Sequence, residues 1–477
     1  MRFLKGVGAG LILVLGLLFL ASNAQEKAKE KPDHSLFMKD QVFEKGEDVT
    51  KRCIVCHNKQ AEDILKTAHW RWQASIEGVV GLGTETELGK KNLFNNYCVA
   101  VTSNWKRCTL CHIGYGWEDE TFDFSDKTKI DCLICHDTTG TYKKTFEKAT
   151  ASAVADGVDL VKIASNPGRP SRANCGSCHF KGGGGDNIKH GDLCSAQLSP
   201  LRELDVHMGG TKAMACIDCH KTKEHRIAGR SISLPVAGGR VFCSNCHTEK
   251  PHKNKILNNH GDTLACQTCH IPSFAKAMPT KLSWDWSTAG EDRKEEKDEY
   301  GKPTYDKKKG SFVWAKDVKP TYAWYNGKVE RYLMGDKIEL DGVTTLARPV
   351  GTITDQDSKI YPFKLHKGKQ IADSVNRYLL VPHLFPSKAG DNPYWKKYDW
   401  NLAAAEGAKA AGQEYSGTYT FVACEMYSGI HHEVVPKEKA LQCAACHFGG
   451  KTLDFKALGY PDDPMKTGGR FKKIEKP

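Results

Sequence analysis

The pattern of hydrophobic and polar positions begins with one long apolar run. Residues 7–20 are apolar, follow Arg2 and Lys5, and precede a small-residue stretch that ends at Ala24. This order is typical of a secretory signal, so we expect export to the periplasm and cleavage after Ala24. An uncleaved anchor is the alternative, but the run has 14 residues, and a membrane-spanning helix needs about 20. The processed chain is therefore not expected to span a membrane.

From there to residue 275 the hydrophobic pattern is short and interrupted. Residues 61–72 and 154–164 show helical periodicity. Gly and Pro interrupt most other segments. This part of the chain is predicted to form short α-helices and much irregular structure.

Residues 276–430 have a different pattern. The charge run at 291–299 predicts an exposed loop. Aromatic and β-branched residues alternate in three runs between 310 and 340, with turn residues between them, which predicts a small β-hairpin or sheet. Residues 402–411 are predicted to form a helix.

Cysteine is the residue that departs from ordinary composition, with 19 in 477 residues. Sixteen of them form Cys-x-x-Cys pairs, and every pair is followed directly by histidine. The pairs are Cys53 and Cys56, Cys108 and Cys111, Cys132 and Cys135, Cys175 and Cys178, Cys216 and Cys219, Cys243 and Cys246, Cys266 and Cys269, and Cys443 and Cys446. This motif indicates covalent c-type haem attachment. Zinc ribbons and disulfides are the alternatives, but neither requires a histidine after each pair.

In a c-type site two thioethers hold the porphyrin and the adjacent imidazole is the proximal iron ligand. The predicted proximal ligands are His57, His112, His136, His179, His220, His247, His270 and His447. Eight haem c groups are therefore the predicted cofactors.

The motif spacing predicts the fold class. Seven motifs begin between residues 53 and 266 and the last begins at 443, too close together for independently folded units and without the fixed period of a solenoid. We expect a multihaem cytochrome c, mainly short α-helices and irregular chain around a haem core, with a small β insert. The expected segments are a haem-rich domain at 25–275, a haem-free insert at 276–430 and a C-terminal segment at 431–477 that carries the eighth haem.

The formal charge of +12 does not indicate a nucleic-acid-binding protein. Removal of Arg2 and Lys5 leaves +10, and each ferric haem with two propionates adds about −1. The excess Lys and Arg is therefore interpreted as partners of propionates.

Eleven histidines remain as candidates for the second iron ligand. We predict this distal role for His34, His69, His207, His225, His252, His260 and His432. His190, His366, His383 and His431 are weaker candidates. For each of the eleven the alternative is an ordinary histidine with no ligand role.

The haem spacing and four further strings resemble a known family. The strings are 66–70 (KTAHW), 182–186 (GGGGD), 189–193 (KHGDL), and 269–272 (CHIP) followed by 284–290 (WDWSTAG). Together they resemble the octahaem c-type cytochromes of the tetrathionate reductase type, over about residues 34–449. The resemblance implies seven haems with two histidine ligands each, and a lysine nitrogen opposite His112 on the second haem.

The same resemblance supplies the candidate catalytic residues. The distal lysine is Lys189, and the pocket residues are Asn95, Cys98, Asp186 and Lys276. A ligating lysine must be neutral, which costs roughly 4 to 5 kcal/mol at pH 7 against its ordinary pKa. Lys189 is therefore expected to be a replaceable ligand.

Cys98 lies outside every motif. Beside a cationic lysine and ferric iron, a free thiol there would have a lowered pKa and could attack a sulfur–sulfur bond. The alternatives are a buried inert thiol or a disulfide with Cys194 or Cys424, which could also pair with each other.

The predicted function is a periplasmic octahaem reductase that converts tetrathionate to thiosulfate with two electrons. The expected partners are a small oxyanion or sulfur-oxyanion substrate and an exported or membrane-bound redox donor protein, with no nucleic acid. Nitrite or hydroxylamine reduction at the same haem is one alternative. A pure electron-transfer cytochrome with every haem closed is another.

Overall fold

The structure is a computed structural model that describes residues 32–97, 99–148, 150–388 and 390–470. The predicted signal sequence at 1–24 and Cys98 lie outside the described residues. Within the described ranges, every helix is too short or too polar to cross a membrane.

Short helices and irregular chain make up most of the structure outside residues 280–429. The α-helices are Ser35–Met38, Gly46–Ile64, Ala68–Arg71, Trp105–Cys108, Leu133–His136, Leu160–Ser165, Arg172–His179, Cys216–Cys219, Lys255–His260, Cys266–His270, Tyr394–Lys397, Trp400–Ala411, Cys443–Cys446 and Pro464–Thr467. The 3-10 helices are Thr109–Cys111, Lys127–Lys129, Ser195–Leu198, Cys243–Asn245, Trp286–Thr288 and Lys437–Lys439.

Each Cys-x-x-Cys-His motif lies on or at the edge of one helical turn. Residues three apart share a helix face, so the turn presents both sulfurs on the same side. The first motif lies inside Gly46–Ile64, where His57 has non-helical torsion angles (φ −109°, ψ 32°). The local kink turns this imidazole away from the helix course.

Local capping explains where two predicted helices differ from the structure. The predicted helix at 154–164 begins only at Leu160, because the Asp159 carboxylate accepts the backbone N–H of Lys162. The predicted helix at 61–72 is divided, because Gly46–Ile64 ends and Thr67 caps a new turn by accepting the N–H of Trp70.

A mixed sheet of nine strands, within the described residues, occupies 280–429. Its strands are Thr280–Asp285, Tyr305–Asp306, Gly310–Ala315, Thr321–Tyr325, Val329–Arg331, Val343–Pro349, Lys359–Asp373, Tyr378–Leu379 and Tyr419–Gly429. Three two-stranded pairs lie elsewhere: Ala74–Ser75 with Glu87–Leu88, Lys144–Thr145 with Ala153–Val154, and Thr222–Lys223 with Arg226–Ile227.

The 15-residue strand Lys359–Asp373, here called the central strand, organises the sheet. It pairs antiparallel with Tyr419–Gly429 from Phe363 opposite Gly429 to Asp373 opposite Tyr419. It also runs parallel to Thr280–Asp285 and antiparallel to Thr321–Tyr325. The central strand is therefore hydrogen-bonded to neighbouring strands along both of its edges.

The sequence predicted only part of this sheet. The alternating runs between 310 and 340 contain three of the strands, and the helix Trp400–Ala411 and the exposed loop at 291–299 agree with prediction. The central strand and Tyr419–Gly429 were not identified. The central strand carries Lys, His, Gln and Pro at buried positions, so it lacks the alternation of apolar and polar residues that marks a half-buried strand.

Side-chain cores are distributed unevenly. The main cluster packs the sheet and the helix Trp400–Ala411 around residues such as Trp284, Trp286 and Phe363. Between residues 35 and 165, buried side chains from 76 to 100 join the main cluster, and the others form two smaller clusters. Most of the residues around the motifs therefore lack an extended side-chain core of their own.

Candidate functional site

Six motif histidines face another histidine at a nearly constant distance. The ring centroids are 6.1 to 6.3 Å apart in His57–His34, His179–His69, His220–His432, His247–His207, His270–His252 and His447–His260. Two imidazoles that bind one metal from opposite sides, with metal–nitrogen distances of about 2 Å, have ring centres roughly 6 Å apart. The spacing fits a haem iron between each pair.

The seventh pair is His136, a motif histidine, and His225, a predicted distal ligand. Burial, together with the nearby charge of His136, lowers the pKa of His225. The Nδ1 of His225 is buried without a hydrogen-bond partner. The structure therefore brings all seven predicted distal histidines near a motif histidine.

The second nitrogen of several of these rings is fixed by hydrogen bonds. Nδ1 contacts the carbonyl of Gly168 in His136, of Ala228 in His220 and of Ile256 in His260, and contacts Asp192 in His432 and Asp463 in His447, at 2.6 to 3.1 Å. An Nδ1–H that donates to an oxygen leaves Nε2 with its lone pair for a metal. The residues present therefore fit the axial ligands of haem.

One motif histidine has two candidate partners. The ring of His179 lies 6.2 Å from His69 and 6.4 Å from His190. His190 is buried, which lowers its pKa to about 3. Only one of the two can occupy the second axial position.

His112, in the second motif, has different surroundings. Its described ring contacts are aromatic: Trp70, Trp72, Trp117, Phe122 and Phe124, with centroids 4.9 to 6.2 Å away. Burial lowers its pKa to about 3. Its Nε2 contacts the Trp70 carbonyl at 2.6 Å, whereas Nδ1 has no hydrogen-bond partner. The ring must turn about its Cβ–Cγ bond to present Nε2 to a metal.

Lys189 lies beside this second motif. A hydrogen bond with Cys178 and the charges of Lys90, Lys144 and Lys189 lower the pKa of the Cys111 thiol to about 6. In the haem-bound protein this sulfur is a thioether and does not titrate, so the effect is evidence of proximity only. Lys189 is thus within electrostatic range of the second motif, and also of His179 in the fourth motif.

The backbone around Lys189 is rich in glycine. A Cβ on Gly182 or Gly183 would lie 3.5 Å from the Lys189 Cβ. Gly183 and Gly191 have φ values of +79° and +85°, a region that favours glycine. The glycines therefore allow close packing and the unusual turns on both sides of Lys189.

The other predicted pocket residues are placed as follows. Asp186 accepts hydrogen bonds from the N–H and hydroxyl of Ser195. The Asn95 side chain accepts the Tyr97 N–H at 2.9 Å. The Lys276 ammonium donates to the carbonyls of residues 204 and 433 at 2.9 and 2.7 Å, and burial lowers its pKa. Asn95 is thus linked to Lys189 through Tyr97, whereas the hydrogen bonds of Asp186 and Lys276 lead elsewhere.

The remaining spare cysteines are both free and buried. Cys194 and Cys424 therefore do not form a disulfide with each other in this structure. The Cys424 thiol donates to the Asn96 side-chain oxygen at 2.8 Å.

Sequence reasoning missed two buried residues that contact the backbone of Lys189, Tyr97 and Lys364. Tyr97 donates its hydroxyl proton to the Lys189 carbonyl at 3.0 Å. Lys364 and His366 lie on the central strand and are fully buried. Lys364 gave no signal, because a lysine in a polar segment is typical of an exposed strand face, and His366 was identified only as a weaker candidate for an iron ligand.

Sulfurs of different motifs also contact each other. Hydrogen-bonding contacts join Cys53 with Cys132, Cys111 with Cys178, Cys175 with Cys216, and Cys243 with Cys266. The attachment sites are therefore close neighbours, as electron transfer between them requires.

Covalent haem attachment motifs, paired imidazoles and closely spaced attachment sites together define a multihaem c-type cytochrome. Similarity to a solved structure identifies the family within this class. The structure is similar to the crystal structure of octaheme cytochrome c from Shewanella oneidensis, with 50% sequence identity over 91% of this chain and 98% of that chain and a TM-score of 0.85. The protein belongs to the octahaem cytochrome c family and carries eight covalently bound haem c groups.

Two weaker similarities agree with this assignment. The family model described as "Cytochrome c bacterial" matches residues 281–450. An uncharacterized protein of Archaeoglobus fulgidus is 24% identical over 247 residues, which cover 42% of this chain and 82% of that protein.

Proposed function

We propose that the protein is an exported reductase that converts tetrathionate to thiosulfate at the haem of the second motif. One observation carries the proposal: the ring of His112 packs on Trp and Phe side chains rather than on another histidine, and Lys189 lies within electrostatic range of its motif. Haem at this motif would supply electrons and an iron with one exchangeable ligand.

The ring pairs described above support the proposed axial ligands. Seven haems would have two histidines, with His136 and His225 as the pair added to the six ring pairs above. The second haem would have His112 and Lys189. The seven closed haems would transfer electrons, and only the second would bind substrate.

Lys189 would control access to that metal. To bind iron its amine must be neutral, and at pH 7 this costs roughly 4 to 5 kcal/mol against the ordinary lysine pKa. A ligand held at this cost is displaced more easily than an imidazole. On leaving the metal, Lys189 would be protonated and would attract an anionic substrate.

Cys98 would perform the sulfur chemistry. Its thiolate would attack one central sulfur of tetrathionate, breaking the central sulfur–sulfur bond, releasing one thiosulfate and leaving the other bound to Cys98 as a mixed disulfide. Two electrons from the donor protein would then cleave that bond, releasing the second thiosulfate and restoring the thiolate. Lys276 would offset the substrate charge, and Asp186 and Asn95 would orient the lysine and the substrate.

The test is the rate of tetrathionate reduction in Cys98→Ala. We expect a loss of at least about 100-fold in kcat, because the nucleophile is removed, with eight haems retained by pyridine haemochrome absorbance. Cys424→Ala is the matched control, since it removes another free thiol. A normal rate in Cys98→Ala contradicts the role of this thiol.

A second candidate is reduction of nitrite or hydroxylamine at the same haem. It is favoured by the exchangeable ligand proposed for this haem, because nitrite or hydroxylamine reduction needs an open iron position and no nearby thiol. Nitrite turnover that survives Cys98→Ala, together with weak tetrathionate turnover in the unaltered protein, would favour it. If cyanide and nitrite perturb none of the haem spectra, the protein is instead an electron carrier for another protein.

A further inference from the structure

Lys364 places a buried ammonium group against the backbone of Lys189. Its side chain is fully buried, and Nζ lies 2.7 Å from the Ile188 carbonyl, 3.1 Å from the Lys189 carbonyl and 2.6 Å from the Thr280 hydroxyl. Nζ therefore lies within hydrogen-bonding distance of three oxygen atoms.

Tyr97, from the loop at 95–97, also hydrogen-bonds to the Lys189 carbonyl. Its hydroxyl donates to the Lys189 carbonyl at 3.0 Å, and its ring, also fully buried, packs on His366 at a centroid distance of 4.0 Å. The central strand supports this loop, because Gln370 donates to the Asn95 carbonyl at 2.7 Å. Lys364, His366 and Gln370 alternate along the strand and so share one face.

Burying Lys364 is costly, and its hydrogen-bond partners among the described residues are two carbonyls and a hydroxyl. Burial lowers its pKa well below the ordinary value, and Asp192 opposes this only in part. A lysine in such a position has to be stabilised by the carbonyls that it holds. Those carbonyls belong to the segment that presents Lys189.

That segment is rich in glycine, and hydrogen bonds at Asn187 and Asp192 hold it on either side of Lys189. Gly182 to Gly185 precede it and Gly191 follows it, and glycine loses more backbone freedom on folding than other residues. Two hydrogen bonds to one carbonyl therefore add to this restraint at Lys189 itself.

We propose that Tyr97 and Lys364 are positioning residues that hold the backbone of Lys189 and thereby set how readily its amine leaves the iron. The inference rests on the proposed role of Lys189 as the distal ligand. With both hydrogen bonds to the Lys189 carbonyl in place, the amine stays within reach of the metal and returns after product leaves. Without them, the lysine-bound state becomes less populated.

The test uses Tyr97→Phe and Lys364→Met, which remove donors and keep most of the side-chain volume. In each holoprotein we expect the equilibrium towards the open ferric haem to rise about fivefold, the effect of losing one hydrogen bond. The measurements are the high-spin signal in electron paramagnetic resonance and the apparent cyanide Kd. Tyr97→Phe is the milder change and decides the matter if Lys364→Met fails to incorporate eight haems.

Matched controls separate this effect from general loosening. Tyr332→Phe removes a hydroxyl that donates to the Asp336 carbonyl at 2.9 Å, and Lys359→Met removes an ammonium on the same strand that donates to the Gly261 carbonyl. Neither should change the high-spin signal or cyanide binding. Equal effects in the controls, or no effect of Tyr97→Phe, overturn the positioning role.

Lys189→Met distinguishes failure of the inference from failure of the proposed function. If Lys189 is the distal ligand, this variant converts one haem to the open form. An unchanged spectrum in Lys189→Met overturns the ligand assignment itself. A changed spectrum in Lys189→Met with unchanged spectra in Tyr97→Phe overturns only the positioning role of Tyr97 and Lys364.

Discussion

Single imidazoles carry most of the chemistry that the chain offers its haems. The histidines that face them lie far away in sequence, as in His220 with His432 and His447 with His260. Second partners such as Asp463 and the Gly168 carbonyl fix the ring nitrogen that faces away from the metal. Each of these rings therefore has one nitrogen available for iron.

His69 and His190 provide a test at this scale. We expect His69→Ala to open one haem, giving a new high-spin ferric signal and a new cyanide-binding haem, because His69 is our proposed distal partner of His179. His190→Ala should leave all haems in their original state. The reverse result would assign His190 to this haem.

Among the elements, the central strand has the largest influence on the site. Its alternate residues hold the loop at 95–97 and the segment around Lys189, so one strand supports both sides of the proposed pocket. The strand ends at Asp373, whose carboxylate accepts the backbone N–H groups of Val375, Asn376 and Ser416 at 2.7 to 2.9 Å. This residue joins the turn after the strand to the loop before Tyr419–Gly429.

Asp373→Asn is predicted to lower the free energy of unfolding by about 1 to 3 kcal/mol at pH 7. The new amide NH₂ group would face N–H donors. Burial opposes it, but the hydrogen bonds from Ser416 and Asn376 bring the pKa of Asp373 below its ordinary value. Its contribution is therefore complete above about pH 4 and is lost as the pH falls through the lowered pKa.

Thermal melting at pH 7 and pH 3 measures this dependence. The difference in Tm between the unaltered protein and Asp373→Asn should shrink at pH 3. The exposed Asp357→Asn is the control and should have little effect at either pH. An equal loss at both pH values would contradict the assigned charge state.

The whole molecule combines two kinds of interior. The residues of the sheet bury aromatic and aliphatic side chains against each other, whereas the chain around most motifs has only small side-chain clusters. Eight porphyrins must supply the missing apolar contacts there.

Limited proteolysis of protein made without haem attachment tests this division. We expect residues 32–275, apart from 76–100 in the main cluster, to be cleaved rapidly, because their interior is missing, and residues 280–429 to resist longer. The haem-loaded protein is the control and should resist throughout. Equal cleavage rates in the two regions of the haem-free chain would contradict the division.

The sequence determined the haem content and predicted the proximal histidines, because covalent attachment requires a short contiguous motif that no folding step can rearrange. Local patterns also predicted the helix Trp400–Ala411 and part of the sheet. The tertiary structure alone decided which histidine faces which motif, and it placed Tyr97 and Lys364 on the Lys189 carbonyl. Such contacts join residues as far as 275 positions apart. They depend on strand pairing and on buried polar groups that resemble exposed ones in sequence.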